Sequence, residues 1–362
     1  MTEDLLVAST PVFTVGGEVK GELSRDLLRL EIEETTAGLR TLFARFAAQG
    51  PDPSEATAEG EDLYLDGRIL DFGKAVKVTI GPEGGQRILF EGSISALGVS
   101  YQEGGEAAVE IQAEDRFMDL RMTRRHRTWE EVSDADLARS IADEHGLQAE
   151  VAAEGPTYRV LQQWNMSDLA FLRERARRIQ AEVRVLDGTL YFQSRDQRSG
   201  PELTLVRGNQ LIEISITADL AHQRTKVKVS GYDARQQAAI DEEADDGVLQ
   251  AEASGGRTGP AVLNQAFGER ISYRVRQVPL VDGEARAWAE AEMRRRGRGF
   301  VTAVGTTQGT ADLVVGSRLT LDGVGAPFQG PPYHVIRVCH TYDLESGHRT
   351  QFEAERPTVS QS

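Results

Sequence analysis

The sequence has one cysteine in 362 residues, Cys339, so an internal disulfide is excluded. That cysteine closes the apolar run Val335-Ile336-Arg337-Val338-Cys339 and reads as a small buried hydrophobe. No run of about 18 apolar residues occurs, which excludes a helical membrane span. The opening residues Met1–Thr10 lack a basic segment and a long apolar segment, so no signal peptide is expected. Synthesis in the cytoplasm follows. Positive charge is also short: 41 Lys and Arg stand against 57 Asp and Glu, a net charge of -16. Such a chain repels phosphate, which argues against a nucleic-acid partner. Two local clusters go against the balance, Arg124, Arg125, Arg127 and Arg173, Arg175, Arg177, Arg178. They read as solvated helix faces or protein interfaces.

The motifs of common chemistry are missing as well. There is no nucleophile elbow, phosphate-binding loop or dinucleotide fingerprint, and Gly323-Val324-Gly325 reads as a turn between strands. The histidines are His126, His145, His222, His334, His340 and His348, and none has the paired spacing of a zinc site. His334 and His340 share a face by strand parity, a structural arrangement. The acidic run Asp241-Glu242-Glu243-Ala244-Asp245-Asp246-Gly247, with Glu252 further on, places oxygens as a calcium loop does. Its glycine comes one position late, so a solvated loop is the reading and calcium the alternative. Carboxylates are plentiful, but glycoside cleavage needs a pair across a cleft with aromatic platforms, and aromatics make up only 6% of the chain. No catalytic, cofactor-binding or metal-binding residue is assigned.

What is present is alternation and turns. Arg29–Glu33, Ala75–Ile80 and Ala108–Gln112 alternate apolar and polar residues, and Gly81-Pro82-Glu83-Gly84-Gly85 and Glu103-Gly104-Gly105 supply turns. Residues 1–122 are therefore predicted as a barrel or sandwich, with 50–61 an exposed loop. Residues 123–200 change to a small α+β block. Ser133 and Asp136 form a capping pair, a second helix starts near Ser167, and Asp187-Gly188 makes a tight hairpin. In that second helix Leu169, Leu172, Ala176 and Ile179 face inward and the arginines outward. Strands return over 201–357. That region carries a mobile acidic insertion at 233–268 and a helix at 284–296.

The segment Gln162-Gln163-Trp164-Asn165-Met166-Ser167-Asp168-Leu169-Ala170-Phe171-Leu172, followed by Asp187-Gly188-Thr189-Leu190, resembles the middle of the phage late control gene D and VgrG family. Ala113–Leu120, Gly316–Leu321 and Tyr333–His340 resemble the closes of that family's two barrels. Ala289–Met293 with Arg298-Gly299-Phe300 resembles the hubs of extracellular contractile injection particles. The resemblance runs from about residue 5 to 357. It implies a mainly β fold with α+β character, two β-barrel tube-like domains flanking a small α+β domain. It also implies a homotrimeric baseplate hub between a hexameric inner tube and a trimeric spike, among other baseplate proteins. The particle would assemble in the cytoplasm and can be released from the cell, with no direct membrane insertion. Many family members continue into an OB-fold and a β-helix. Here the sequence ends at Glu355-Arg356-Pro357 and a short polar tail, so a separate spike protein is expected. A hub with cell-wall-degrading, glycosidase-type activity is the alternative.

Overall fold

The computed structural model describes residues 10–48, 64–81, 85–101, 107–153, 155–253, 255–274 and 278–360. The chain is mainly β. Its first part contains β1 (Val12–Val15), β2 (Leu27–Thr35), β3 (Thr41–Ala47), β4 (Ala75–Ile80), β5 (Arg87–Ser100) and β6 (Ala108–Glu114). The alternation works as expected. Leu30, Ile32, Val76, Val78, Val109 and Ile111 meet Phe13, Phe46 and Phe90 in one core, while their neighbours face away. The 50–61 loop, the centre of the Gly81–Gly85 turn and the Glu103-Gly104-Gly105 turn lie outside the described residues.

The middle block contains β7 (Arg124–Ser133), α1 (Asp134–Glu144), β8 (Gln148–Ala152), β9 (Thr157–Ser167), α2 (Asp168–Ile179), β10 (Ala181–Leu186) and β11 (Thr189–Ser194). The Ser133 hydroxyl accepts from the Asp136 N–H and the Asp136 carboxylate accepts from the Ser133 N–H, a complete capping box. Ser167 caps α2 through the Ala170 N–H. Asp187 (φ 49°) and Gly188 (φ 74°) both take the left-handed conformation that a two-residue hairpin turn requires. Arg175 departs from the expected pattern. It is not solvated but fully buried on the inner face of α2, paired to Asp134.

The last part contains β12 (Glu202–Val206), β13 (Leu211–Ala218), β14 (Lys226–Asp233), β15 (Ala238–Ala244), α3 (Gly259–Phe267), β16 (Ile271–Arg274), α4 (Asp282–Arg298), β17 (Val301–Gln308), β18 (Arg318–Asp322), β19 (Gly330–Asp343) and β20 (Gly347–Arg356). Two expectations are corrected here. Residues 233–268 are not an aperiodic mobile insertion: β15 pairs along β14, and α3 is capped by Thr258 with Pro260 in its first turn. The segment between β13 and β17 also belongs elsewhere. Val227, Val229, Ile240, Ala285, Trp288 and Met293 pack into the same core as Leu137, Leu172 and Phe192 of the middle block. The physical reason is that α4 packs on β14, β15 and α2, and buries Trp288 and Met293 in the core they share with the middle block.

A thirteen-stranded sheet runs β13-β17-β20-β19-β2-β3-β6-β5-β4-β1 and ends at Glu18–Val19, with β18 on β19 and β12 on β18. Within it one pairing scheme occurs twice. The order β2-β3-β6-β5-β4-β1 is matched by β13-β17-β20-β19-β18-β12. The registers match too. Ser93↔Glu114, Ile94↔Ala113, a bulge, then Ala96↔Gln112 and Leu97↔Ile111 correspond to His334↔Glu355, Val335↔Ala354, a bulge, then Arg337↔Glu353 and Val338↔Phe352. The bulge between Leu27 and Arg29 corresponds to that between Leu211 and Glu213. Gly73 N–H to Ile94 C=O corresponds to Gly316 N–H to Val335 C=O. The outermost strands differ in direction, since β1 runs antiparallel to β4 and β12 parallel to β18. The two halves keep separate cores but share hydrogen bonds directly, because the second part of β19 pairs with β2 from Arg337↔Thr35 to Asp343↔Arg29.

Candidate interaction surface

The junction between the halves is held by buried charge. Arg198, nearly inaccessible, donates to Glu34 at 2.7 Å, to Glu182 at 3.2 Å and to the Val315 carbonyl at 3.1 Å. Arg40 reaches Glu34 at 2.5 Å, and Arg195 reaches Glu355 at 2.5 Å. Burial pushes the Glu182 carboxyl up, but His334, Arg198 and Arg195 outweigh it and hold the group at about 2. The same contest keeps Glu34 below the ordinary carboxylate range, Arg40 and Arg198 prevailing over burial. These ions come from the first half, the middle block and the second half. Removing one member leaves an uncompensated buried charge, so the network fixes the three parts relative to one another.

The sheet face opposite the cores is polar and crosses the junction without a break. Arg29, Glu31 and Glu33 on β2 stand beside Arg337 on β19 and Glu114 on β6, lining a groove of about 460 Å³. Arg337 pairs with Glu33, and Arg45 lies 3.8 Å from Glu110. Cys339 sits in this wall, and burial pushes its thiol up to about 11. A second pocket of about 210 Å³ lies between the halves and α2, with Arg173, Arg177, Arg195, Arg298 and Glu182 in its wall. Three of these arginines are engaged: Arg173 donates to the Ala37 and Gly38 carbonyls, Arg195 to Glu355, and Arg298 to Glu252 at 2.5 Å.

The residues weighed for chemistry are dispersed. His334 and His340 both lie on β19, but on opposite faces, because the bulge between Val335 and Arg337 reverses the alternation. His334 lies 3.4 Å from Glu182, whereas the His340 ring is 3.3 Å from His348 on the core side. The acidic run does not wrap an ion. Asp241–Ala244 is strand, so its side chains alternate. Glu242 pairs with Arg286, Glu243 with Lys226 and Lys228, and Glu252 with Arg298. Among the described residues no group of three or more His, Cys, Asp or Glu side chains is arranged to hold a metal. The basic clusters are largely neutralised, Arg125 by Asp168 and Arg127 by Glu144.

Sequence reasoning missed two open strand edges. The outer edge of β13 and the second part of β5 each have one strand neighbour among the described residues, β17 and β6. Ile212 (47% exposed), Val99 (45%) and Tyr101 (62%) stand out along them. The signal available was the lack of lysine and proline in Leu211–Ala218 and of any charge in Ala96–Ser100, since exposed edges ordinarily carry such guards.

A family model described as the Alg8 N-terminal domain matches residues 58–343. No curated protein matches the chain in sequence. Among solved structures, the 43 kDa tail protein of prophage MuSo2 from Shewanella oneidensis is 13% identical, with a TM-score of 0.70 over 96% of this chain and 98% of that one. The tail protein from Neisseria meningitidis MC58 is 13% identical, with a TM-score of 0.65 over 96% of each chain. The E. coli c3393 protein is a component of the type VI secretion system with structural similarity to the T4 bacteriophage tail proteins gp27 and gp5. It is 13% identical, with a TM-score of 0.56 over 93% of this chain and 76% of that one. At these identities the likeness establishes a shared tail-protein fold.

Proposed function

The chain belongs to the Alg8 N-terminal domain family, and from the tail-protein fold we propose that it is the structural baseplate hub of a contractile phage tail or tail-like injection particle. In this reading it is a homotrimeric adaptor that joins a hexameric inner tube to a trimeric spike. The observation that carries the reading is the repeated pairing scheme, bulge for bulge, in the two halves of the sheet. A chain that contains one unit twice lets three copies offer six similar surfaces, which is what a joint between sixfold and threefold partners requires. The buried ions at the junction support it, because such a joint has to hold its two units at a fixed angle under load. The late control gene D and VgrG resemblance points the same way. The particle forms in the cytoplasm and can be released with its tail.

The role proposed is purely mechanical. Burial raises the carboxyls of Asp115, to about 6, and of Glu284, but each is tied to backbone N–H groups. Neither lines the two cavities described above, whereas glycoside cleavage demands a pair of carboxylates across an open cleft. Sedimentation of the purified chain, with electron microscopy of particles from cells that express it, tests the hub. Trimers and labelled baseplates are expected; a monomer at every concentration, absent from particles, overturns it. Zymography on peptidoglycan separates the glycosidase-type alternative, and no clearing is expected.

A further inference from the structure

Inside one chain the second part of β19 is covered by β2. Its counterpart in the first half is the second part of β5, and the counterpart of β2 in the second half is β13. Those counterparts are the two open edges. Burial records the difference. Val338 and His340 on β19, and Leu30 and Ile32 on β2, are all at most 6% exposed. The matching positions are Leu97 and Val99 on β5, and Ile214 and Ile216 on β13. Leu97, Ile214 and Ile216 are only partly buried, and Val99 is 45% exposed. The internal junction therefore displays what each free edge lacks.

We propose that β13 of a second copy of this chain adds to the open edge of β5, repeating between subunits the contact that β2 makes with β19 within one. The register is carried over residue by residue. Val338↔Glu34, Cys339↔Glu33, His340↔Ile32 and Thr341↔Glu31 become Leu97↔Ala218, Gly98↔Thr217, Val99↔Ile216 and Ser100↔Ser215 across the interface. The added strand runs antiparallel, satisfies both rows of backbone groups and buries Val99 against Ile216. The contact is head to tail, so a ring closes only where the rotation at each joint permits. That the ring holds three copies rests on the hub reading above; the edge pairing does not.

The test is oxidative cross-linking of the full chain carrying Val99→Cys and Ile216→Cys, in a Cys339→Ala background. Circular dichroism verifies the fold, and the control pair is Ile88→Cys with Ile216→Cys. Opposed strand residues come close enough for a disulfide, so cross-linked multimers about tenfold above the control are expected. Ala218→Pro, which removes a donor on the open edge because the Asp219 N–H and its alternate neighbours bond β17, is expected to abolish assembly while the far-ultraviolet spectrum is retained. Trimers without the Val99–Ile216 link overturn the edge pairing and leave the hub reading intact. Specific links within open-ended filaments support the pairing and overturn the threefold count. A monomer at all concentrations overturns both.

Discussion

His340 and His348 show how burial can dominate a titration. The two rings lie 3.3 Å apart, nitrogen to nitrogen, with Thr350 Oγ1 3.2 Å from His340. Burial first, and then neighbouring positive charge, holds His340 at about 3 and His348 at about 4, well under the ordinary histidine value. Both are neutral when folded at neutral pH and would gain a proton more readily when unfolded. Their contribution is full above about pH 6.5 and is lost as pH falls towards the folded values, by on the order of 1–2 kcal/mol per ring down to pH 5. Asp115, held up to about 6 by burial, works the other way and offsets part of the loss. Urea unfolding midpoints are expected to drop with acid in the parent chain and to drop less in His348→Asn. Equal slopes would show that these rings do not set the acid sensitivity. Neither ring could be identified from sequence as part of a pair, since His348 reaches His340 only through the β19–β20 register. Arg175 was misread for a related reason: its burial depends on Asp134 and on the Tyr158 ring 4.3 Å beneath it, both supplied by other elements.

Local rules did better for elements than for single side chains. The Ser133 and Ser167 caps, the stripe of α2 and the Asp187-Gly188 turn were legible because each is decided within a few residues. Asp168 marks where that legibility ends. As the first residue of α2 it reads as an exposed acid favoured by the helix dipole. It is in fact buried, and its carboxylate gathers Gln163 Nε2 at 2.8 Å, Arg125 Nε at 2.8 Å and His145 Nε2 at 2.9 Å. One side chain thus joins the start of α2, the end of α1, β7 and β9. Asp168→Asn keeps the size but turns an acceptor into a partial donor facing other donors. It should cost about 2–3 kcal/mol in urea unfolding, whereas Asp136→Asn at the exposed cap of α1 should cost under about 1 kcal/mol. Equal costs would mean that Asp168 merely caps. The parity error on β19 has the same origin, because a bulge is defined only against the neighbouring strand.

At the scale of the molecule the repeat is written in register and not in residue identity. Val99 matches His340, Gly98 matches Cys339, and five residues, 36–40, do between β2 and β3 what 219–300 do between β13 and β17. Alternation along each strand could predict a β fold, but matching two sets of strands needs the hydrogen-bonded partners. Net charge, by contrast, is fully legible, and it bears on assembly. Each copy carries -16, so bringing three together works against a long-range repulsion. The proposed contact is a backbone ladder flanked by Val99 and Ile216, neither of which salt weakens by screening. Raising ionic strength shortens the Debye length from about 30 Å at 0.01 M to about 8 Å at 0.15 M and removes the repulsion while leaving that ladder intact. Sedimentation equilibrium should therefore show the trimer strengthening by about tenfold or more across this range. Were the trimer to weaken with salt, ion pairs between subunits would be its main support, and the uncharged stretches Leu97–Ser100 and Ser215–Ala218 could not be where the copies meet.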